Sequence, residues 1–227
     1  MQDFDKKTNG KGYRFLKVLG DIFVLNIEFI LVACLSLTVL FFPALFALVE
    51  LFKNEKTSYV NPFSDYFALI KKHIKKGLKY WITFLPIYAL FAYVLYLDYQ
   101  LIHANENVMV AWMSLIIIIG ILIALTSALI ELPLFIAYFD DEKALDCFRK
   151  ASLIARKKLL LVLSSWMCIL SFVFVFYMFY PLIFFFGIGL MVYLVTRMSE
   201  RVYEQLVREE KARLKEEWMQ ITYVIYR

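Results

Sequence analysis

Residues Leu159–Thr196 read LLLVLSSWMCILSFVFVFYMFYPLIFFFGIGLMVYLVT, 38 residues without a single Asp, Glu, Lys or Arg. At ~1.5 Å per residue one helix of that length would reach about 57 Å, nearly twice the ~30 Å core of a bilayer. Pro181 stands near the middle, and Gly187 and Gly189 follow it. The stretch therefore predicts a tight helical hairpin, with one arm near 159–178 and the other near 181–198. Working outward, three more charge-free runs occur at Phe29–Val49, Tyr80–Leu97 and Asn107–Ile130. Each is about long enough to cross a membrane once.

Composition supports this reading. The 227 residues are 62% hydrophobic and 18% aromatic, with a mean hydropathy of +0.68. Soluble domains average ~45–50% apolar residues, so the soluble and disordered classes are both excluded. The apolar run near the N-terminus is long and lacks an A-x-A site, so it reads as an uncleaved first segment. Cys34 and Cys168 lie in apolar runs and are expected to be buried thiols; Cys147 lies in a basic connector.

The first apolar segment extends from about Phe15 to Phe52, interrupted by Lys17, Asp21, Glu28 and Glu50 and divided by Pro43. It is either one long tilted helix or a hairpin turning near Leu40–Pro43. The basic residues decide between these. Of the 25 Lys and Arg, five lie in the N-terminal tail up to Lys17, seven in Lys53–Lys79, none in Asp98–Glu106, six in Glu131–Lys158 and seven from Arg197 onward. Basic loops stay in the cytoplasm. Two hairpins put all 25 on that side; a single crossing by either apolar run would divide them. The expected fold is an all-α, polytopic membrane helical bundle with about six transmembrane helices. The second arm of the first hairpin, from Pro43 to Phe52, is short enough to be re-entrant. The expected domains are a basic N-terminus (1–17), one membrane domain (18–198) and a charged C-terminal helix or tail (199–227). Both termini are expected in the cytoplasm, and the lipid bilayer is the first partner. The net charge of +5 fits an anionic leaflet better than nucleic acid.

Two connectors within the membrane domain, 61–79 and 140–158, read as amphipathic interfacial helices. In the first, Asn61 can cap and Pro62 suits the first helical position. Phe63, Phe67, Ile70, Ile74 and Leu78 then share one face, with Lys71, Lys72, Lys75, Lys76 and Lys79 off it. In the second, Asp140 or Asp141 can cap. Leu145, Phe148, Ala155 and Leu159 form its apolar side, and Arg149, Lys150, Arg156, Lys157 and Lys158 its basic one. Asp65-Tyr66-Phe67 followed by Lys75-Lys76 matches Asp146-Cys147-Phe148 followed by Arg156-Lys157 at the same offset. A duplicated unit accounts for this, and so does the general look of basic helices entering a membrane. In the tail, Glu204 with Arg208 and Glu209 with Arg213 are spaced to pair, and Tyr203, Val207, Leu214, Trp218, Ile221 and Ile225 form a sparse stripe.

No HExxH, GxSxG, P-loop or GxGxxG occurs. Two histidines, His73 and His103, cannot make a metal cluster by themselves, and no cofactor is expected. Charge at membrane depth costs ~2.5–3.5 kcal/mol on insertion scales, so the intramembrane polar residues are the candidates for function. Glu28 is the deepest, with Asn26 beside it. Glu131 ends the third charge-free run, just before Pro133. Glu28 suits a proton or cation site, and equally a neutral, hydrogen-bonded side chain between helices. Glu50 and Glu131 read as interfacial, and Asp98 as a boundary residue. The phenylalanines of 172–186 read as packing and lipid contact.

The order of several short motifs resembles the YesL-like family of small bacterial membrane proteins, a domain of unknown function (624). The motifs are Leu25-Asn26, Pro43-Ala44 with Ala47-Leu48, the Phe63–Lys79 helix with Phe67, Pro133-Leu134, and Ala144–Ala155 with Ala151. The resemblance covers about residues 13–205. Phe42 departs from it, since the family usually has Gly before the proline of the first hairpin. The resemblance implies a bacterial plasma membrane and a link to carbohydrate ABC importers, whose permease subunits would be the partners. It brings no catalytic residues. The resulting expectation is a non-enzymatic accessory protein. The alternative is a small-solute transporter or channel using Glu28.

Overall fold

The computed structural model describes residues 11–55, 61–104, 107–139 and 143–225, with side chains to Ala212 apart from Lys11 and Arg14. Among them are seven helices and no strand: α1 (Lys11–Leu35), α2 (Phe41–Asn54), α3 (Pro62–His103), α4 (Val108–Tyr138), α5 (Ala144–Lys157), α6 (Leu159–Met178) and α7 (Leu182–Ile225). Five are long and apolar enough to cross a membrane: α1 from Phe15, α3, α4, α6 and α7 to Ala212. The chain is a multi-pass helical membrane protein. The sixth expected crossing falls short, because α2 has 14 residues and reaches about 21 Å.

α2 still returns the chain to the end from which α1 starts. Glu55, at its foot, lies 3.5 Å from Arg197 Nη2 of α7 and feels the charges of Lys17 and Asp21 on α1. Lys53 donates to the carbonyl of Ala137 at the end of α4 and stands over the Tyr138 ring. A cation there complements the negative end of the α4 dipole. The start of α1 and the ends of α2 and α4 thus meet at one end of the bundle.

α2 is the hub. Its residues Ala44, Phe46, Ala47, Leu48, Leu51 and Phe52 are all buried, packed by α1, α3, α4 and α7. Elsewhere the spans expose large apolar side chains, such as Ile116 and Ile117 on α4 or Val173 and Phe174 on α6. In a bilayer those faces meet lipid tails. The same holds for Phe179, Phe184 and Phe185, as the sequence predicts.

The hairpin turn lies upstream of its expected place, at Ser36–Leu40, and Pro43 sits in the first turn of α2, where no N–H is required. α1 ends in a Schellman arrangement: Thr38 N–H donates to Ala33 O (2.8 Å) and Leu37 N–H to Cys34 O (3.1 Å). The left-handed position is occupied by Leu37 (φ 49°) and followed by Thr38 (φ 68°), neither of which is glycine. Phe42 is helical, so no glycine is required before Pro43. A left-handed conformation costs a side-chain-bearing residue ~1–2 kcal/mol. Leu37 is 83% exposed and loses little packing if cut back. Leu37→Gly is therefore expected to stabilise the protein by about 1 kcal/mol, read as a higher melting midpoint in detergent. An unchanged or lower midpoint would show that the turn is not strained.

Other boundaries also shift. The 61–79 connector is not a separate helix, because α3 runs unbroken from Pro62 into its span. Asn61 sits at the N-cap but makes no side-chain cap bond; its N–H donates instead to Asp65 Oδ2 at 2.8 Å. α5 is separate, ended by a non-helical Lys158 (φ −112°, ψ 56°). Its N-cap position is Lys143, and the expected caps Asp140 and Asp141 lie outside the described residues. The last span and the charged tail form one helix, α7, with no break at 198. The Glu204–Arg208 pair is present at 4.0 Å. The Glu209–Arg213 pair and the stripe at Leu214, Trp218, Ile221 and Ile225 lie outside the described side chains. So does most of the 1–17 tail, up to Gly10.

The amphipathic faces are rotated from their expected positions. In α3 the buried stripe is Tyr66, Ile70, His73, Gly77, Tyr80 and Phe84, while Phe63 and Phe67 are exposed. In α5 it is Cys147, Ala151 and Ala155, while Leu145, and Leu159 at the start of α6, are exposed. The cysteines reverse likewise: Cys147 is buried, Cys34 exposed and Cys168 half-buried. One physical reason covers all three. Beside lipid, a large apolar side chain gains little by turning inward, and helices approach most closely over small residues.

Candidate functional site

The three polar residues singled out in the sequence do not converge. Asn26 and Glu131 each join two helices by hydrogen bonds, at different places, and Glu28 makes none among the described residues. Asn26 is fully buried on α1 and reaches into the backbone of α7. Its Nδ2 donates to the carbonyls of Ile183 (3.0 Å) and Phe184 (2.8 Å), and its Oδ1 accepts from the Gly189 N–H (2.9 Å). The approach is possible because residue 189 lacks a side chain. A Cβ there would stand 3.0 Å from Ile22 O and 3.1 Å from Asn26 Cβ. The glycines after Pro181 therefore serve a helix crossing rather than the turn.

Glu131 is also fully buried within the protein. Tyr203 of α7 donates to its Oε2 at 2.7 Å, and Tyr138 stacks on Tyr203 with ring centroids 5.3 Å apart. Lys53 over Tyr138 completes a clasp of α2, α4 and α7. Glu28 is 6% exposed, and neither carboxyl oxygen has a hydrogen-bond partner among the described residues. It lies near enough to Tyr66 to act on that hydroxyl electrostatically. Asp98 is buried as well, with Oδ2 unpartnered among the described residues.

Glu50 and His73 form a pair that the sequence reading left out. His73 Nε2 lies 2.6 Å from Glu50 Oε2, and Lys72 Nζ lies 2.8 Å from Oε1. Burial opposes the charge on Glu50, but the hydrogen bonds and charges of His73 and Lys72 outweigh it and hold the carboxyl below its usual 4.5. A carboxyl lowered by folding stabilises the native state above its unfolded value, and that stability is lost as pH falls through the folded value. The melting midpoint in detergent is thus expected to hold from about pH 7 to about pH 5 and to fall below about 4.5. Glu50→Gln should flatten that fall, and an equally steep fall in the variant would assign it elsewhere.

Glu50 and Glu131 occupy matching places. Ala47-Leu48-Val49-Glu50-Leu51 recurs as Ala128-Leu129-Ile130-Glu131-Leu132, and the step from 47 to 128 equals that from Asp65 to Asp146. This signal was present in the sequence and decides in favour of duplication. The structure agrees. Tyr66 and Ile70 match Cys147 and Ala151, and all four are buried. α3 packs chiefly on α2, and α5 chiefly on α4. The copies differ where they join the rest: Ile154 stands where the first copy has His73, so Glu131 takes its partner from α7 instead.

The basic residues of the two connectors are displayed as expected. Lys71, Lys72, Lys75 and Lys79 of α3 are exposed, with Lys76 half-exposed, and so are Arg149, Lys150, Arg156, Lys157 and Lys158 at α5. Two sizeable hollows accompany them. A cleft of about 460 Å³ lies between the end of α4, α5 and the extension of α7. Phe139, Leu153 and Leu206 supply apolar wall, and Lys150, Lys157 and Glu209 supply charge. The second, about 350 Å³, lies between the repeated helices. Leu45 and Val49 of α2 line it together with Thr126 and Ile130 of α4, their counterparts in the repeat, and Val192 and Val195 of α7 close it.

Fold and site together define a multi-pass helical membrane protein, built on a duplicated unit of one helix entering the basic end, an amphipathic helix and a helix leaving it. Comparison with family models, curated proteins and solved structures finds no match for this chain.

Proposed function

We propose that the chain is a non-enzymatic accessory protein of a bacterial plasma membrane, with its basic end and both termini in the cytoplasm. It holds a partner's amphipathic segment in the cleft between α5 and α7. The cleft carries this reading: its walls are apolar, and it has cations on α5 and anions on α7. An amphipathic helix in a groove is a common mode of recognition. The resemblance to the YesL-like family points to permease subunits of carbohydrate ABC importers as the partner. Leu153 is 42% exposed, so Leu153→Glu can charge the cleft without emptying the core. Affinity purification in mild detergent should recover permease subunits with the wild type and lose them with Leu153→Glu. Recovery of the chain alone in both cases counts against the accessory reading.

Solute transport is the second reading, and buried Glu28 with its unpartnered carboxyl oxygens favours it. Glu28→Gln should then abolish solute flux into proteoliposomes. Unchanged flux removes Glu28 from any such role.

A further inference from the structure

The hollow between the repeated helices suits a particular occupant. It carries no charged residue in its lining. The hydroxyls in it are already engaged within the protein. Tyr88 and Thr126 bond each other at 3.0 Å, and Thr196 donates to Val192 O at 2.7 Å. With no charge and only hydroxyls already bonded within the protein, the lining is poorly suited to hold an ion or a sugar. A ligand pocket of this size normally keeps a few convergent polar groups to orient a polar ligand. This one offers only apolar wall.

A second hollow, about 260 Å³, adjoins it. The two share Phe41, Phe42 and Tyr88, which form the partition between them. The second hollow is also lined by Trp81 and Leu85 of the α3 span. Leu85 is 51% exposed, so this side opens on the lipid-facing surface of the bundle.

We infer that the hollow between α2, α4 and α7 is a binding site for one acyl chain of a bilayer lipid, which enters between α2 and α3 past Phe41, Phe42 and Tyr88. The chain is drawn from surroundings that are already apolar, so the hydrophobic effect does not drive its insertion. The gain comes from dispersion contacts with the apolar walls on several sides of the chain. The partition is aromatic, and aromatic rings can turn aside about χ1 without breaking a polar contact, apart from the Tyr88–Thr126 bond. The site lies where the two copies of the unit meet, as binding sites in repeat-built membrane proteins often do.

Photolabelling tests this directly. The full-length protein is reconstituted in phosphatidylcholine vesicles doped with phosphatidylcholine that carries a diazirine on its acyl chain. After irradiation the adducts are mapped by peptide mass spectrometry. Adducts are expected on the segments holding Leu45–Val49 and Val192–Val195, besides those on the lipid-facing Ile116 and Ile117. In Val49→Phe and in Ile130→Phe, each of which fills the hollow, the internal adducts should fall by roughly an order of magnitude. Those at Ile116 and Ile117 should hold, which also reports that the variant is folded. The inference is overturned if the wild type is labelled at Ile116 and Ile117 but not internally. It is equally overturned if the internal adducts persist undiminished in both filled variants. The wild-type map needs no substitution, so it decides the matter even if a variant fails to fold.

Discussion

Gly77→Leu is expected to yield no stably folded protein. Gly77 is the point at which α3 crosses α2. A Cβ built on it would stand 2.6 Å from the Pro43 backbone nitrogen and as close to the proline ring. Neither partner can yield easily. The Pro43 ring is fixed to its own backbone, and α2 is buried on all sides by four helices. Overpacking by a single group costs ~1–3 kcal/mol even where flexible side chains can give way. Here backbone must move, so Gly77→Ala should already lie at the top of that range and Gly77→Leu beyond it. The readout is size-exclusion chromatography of the detergent extract, with loss of the monodisperse peak. Gly120→Leu is the control. Gly120 also lies within a helix, but a Cβ there meets nothing within 4 Å. A Gly77→Leu protein that melts like the wild type would refute the close crossing.

Asn26→Leu carries the second large effect. Leucine keeps the branched outline of the side chain, with as many heavy atoms though more volume, and removes all three hydrogen bonds to α7. The buried Gly189 N–H and the partly buried Ile183 and Phe184 carbonyls then lose their partner on α1. A buried polar group stripped of its partner costs ~1–3 kcal/mol, so a total of about 3 kcal/mol is expected. The result should be a lower melting midpoint with no specific effect on any bound or transported solute. If instead the midpoint holds and only solute flux changes, Asn26 belongs to a pathway rather than to the α1–α7 joint.

These two predictions also separate the candidate residues. Asn26, Glu28 and Glu131, the polar residues that the sequence places in or beside apolar runs, are all buried within the protein. What they face could not be read there. Asn26 meets a backbone more than 150 positions away in the chain. Glu131 meets Tyr203, which the sequence places in the sparse stripe of the charged tail with no sign of what it packs against. Of these three, Glu28 alone has neither side-chain oxygen hydrogen-bonded among the described residues. Polar groups at depth are legible because charge there is costly and rare. Their partners come from other helices, and local pattern carries no information about those.

The amino-acid sequence by itself determined the membrane class, the long spans, the hairpin at Pro181 and the gathering of basic residues in four segments. It also held the duplication, through the shared Ala-Leu-x-Glu-Leu and the matching step. All of these depend on hydropathy, chain length and charge, which are additive along the chain. Tertiary structure alone decided that α2 is a short buried hub, that the turn strains Leu37 and Thr38, and that the amphipathic helices face inward with Gly77, His73, Cys147 and Ala151. In water the apolar face of a helix is the inner face, so periodicity reveals packing. Among lipid tails both faces have apolar surroundings. The inner face is then chosen by close approach and by hydrogen bonds, which appear only once the helices are assembled.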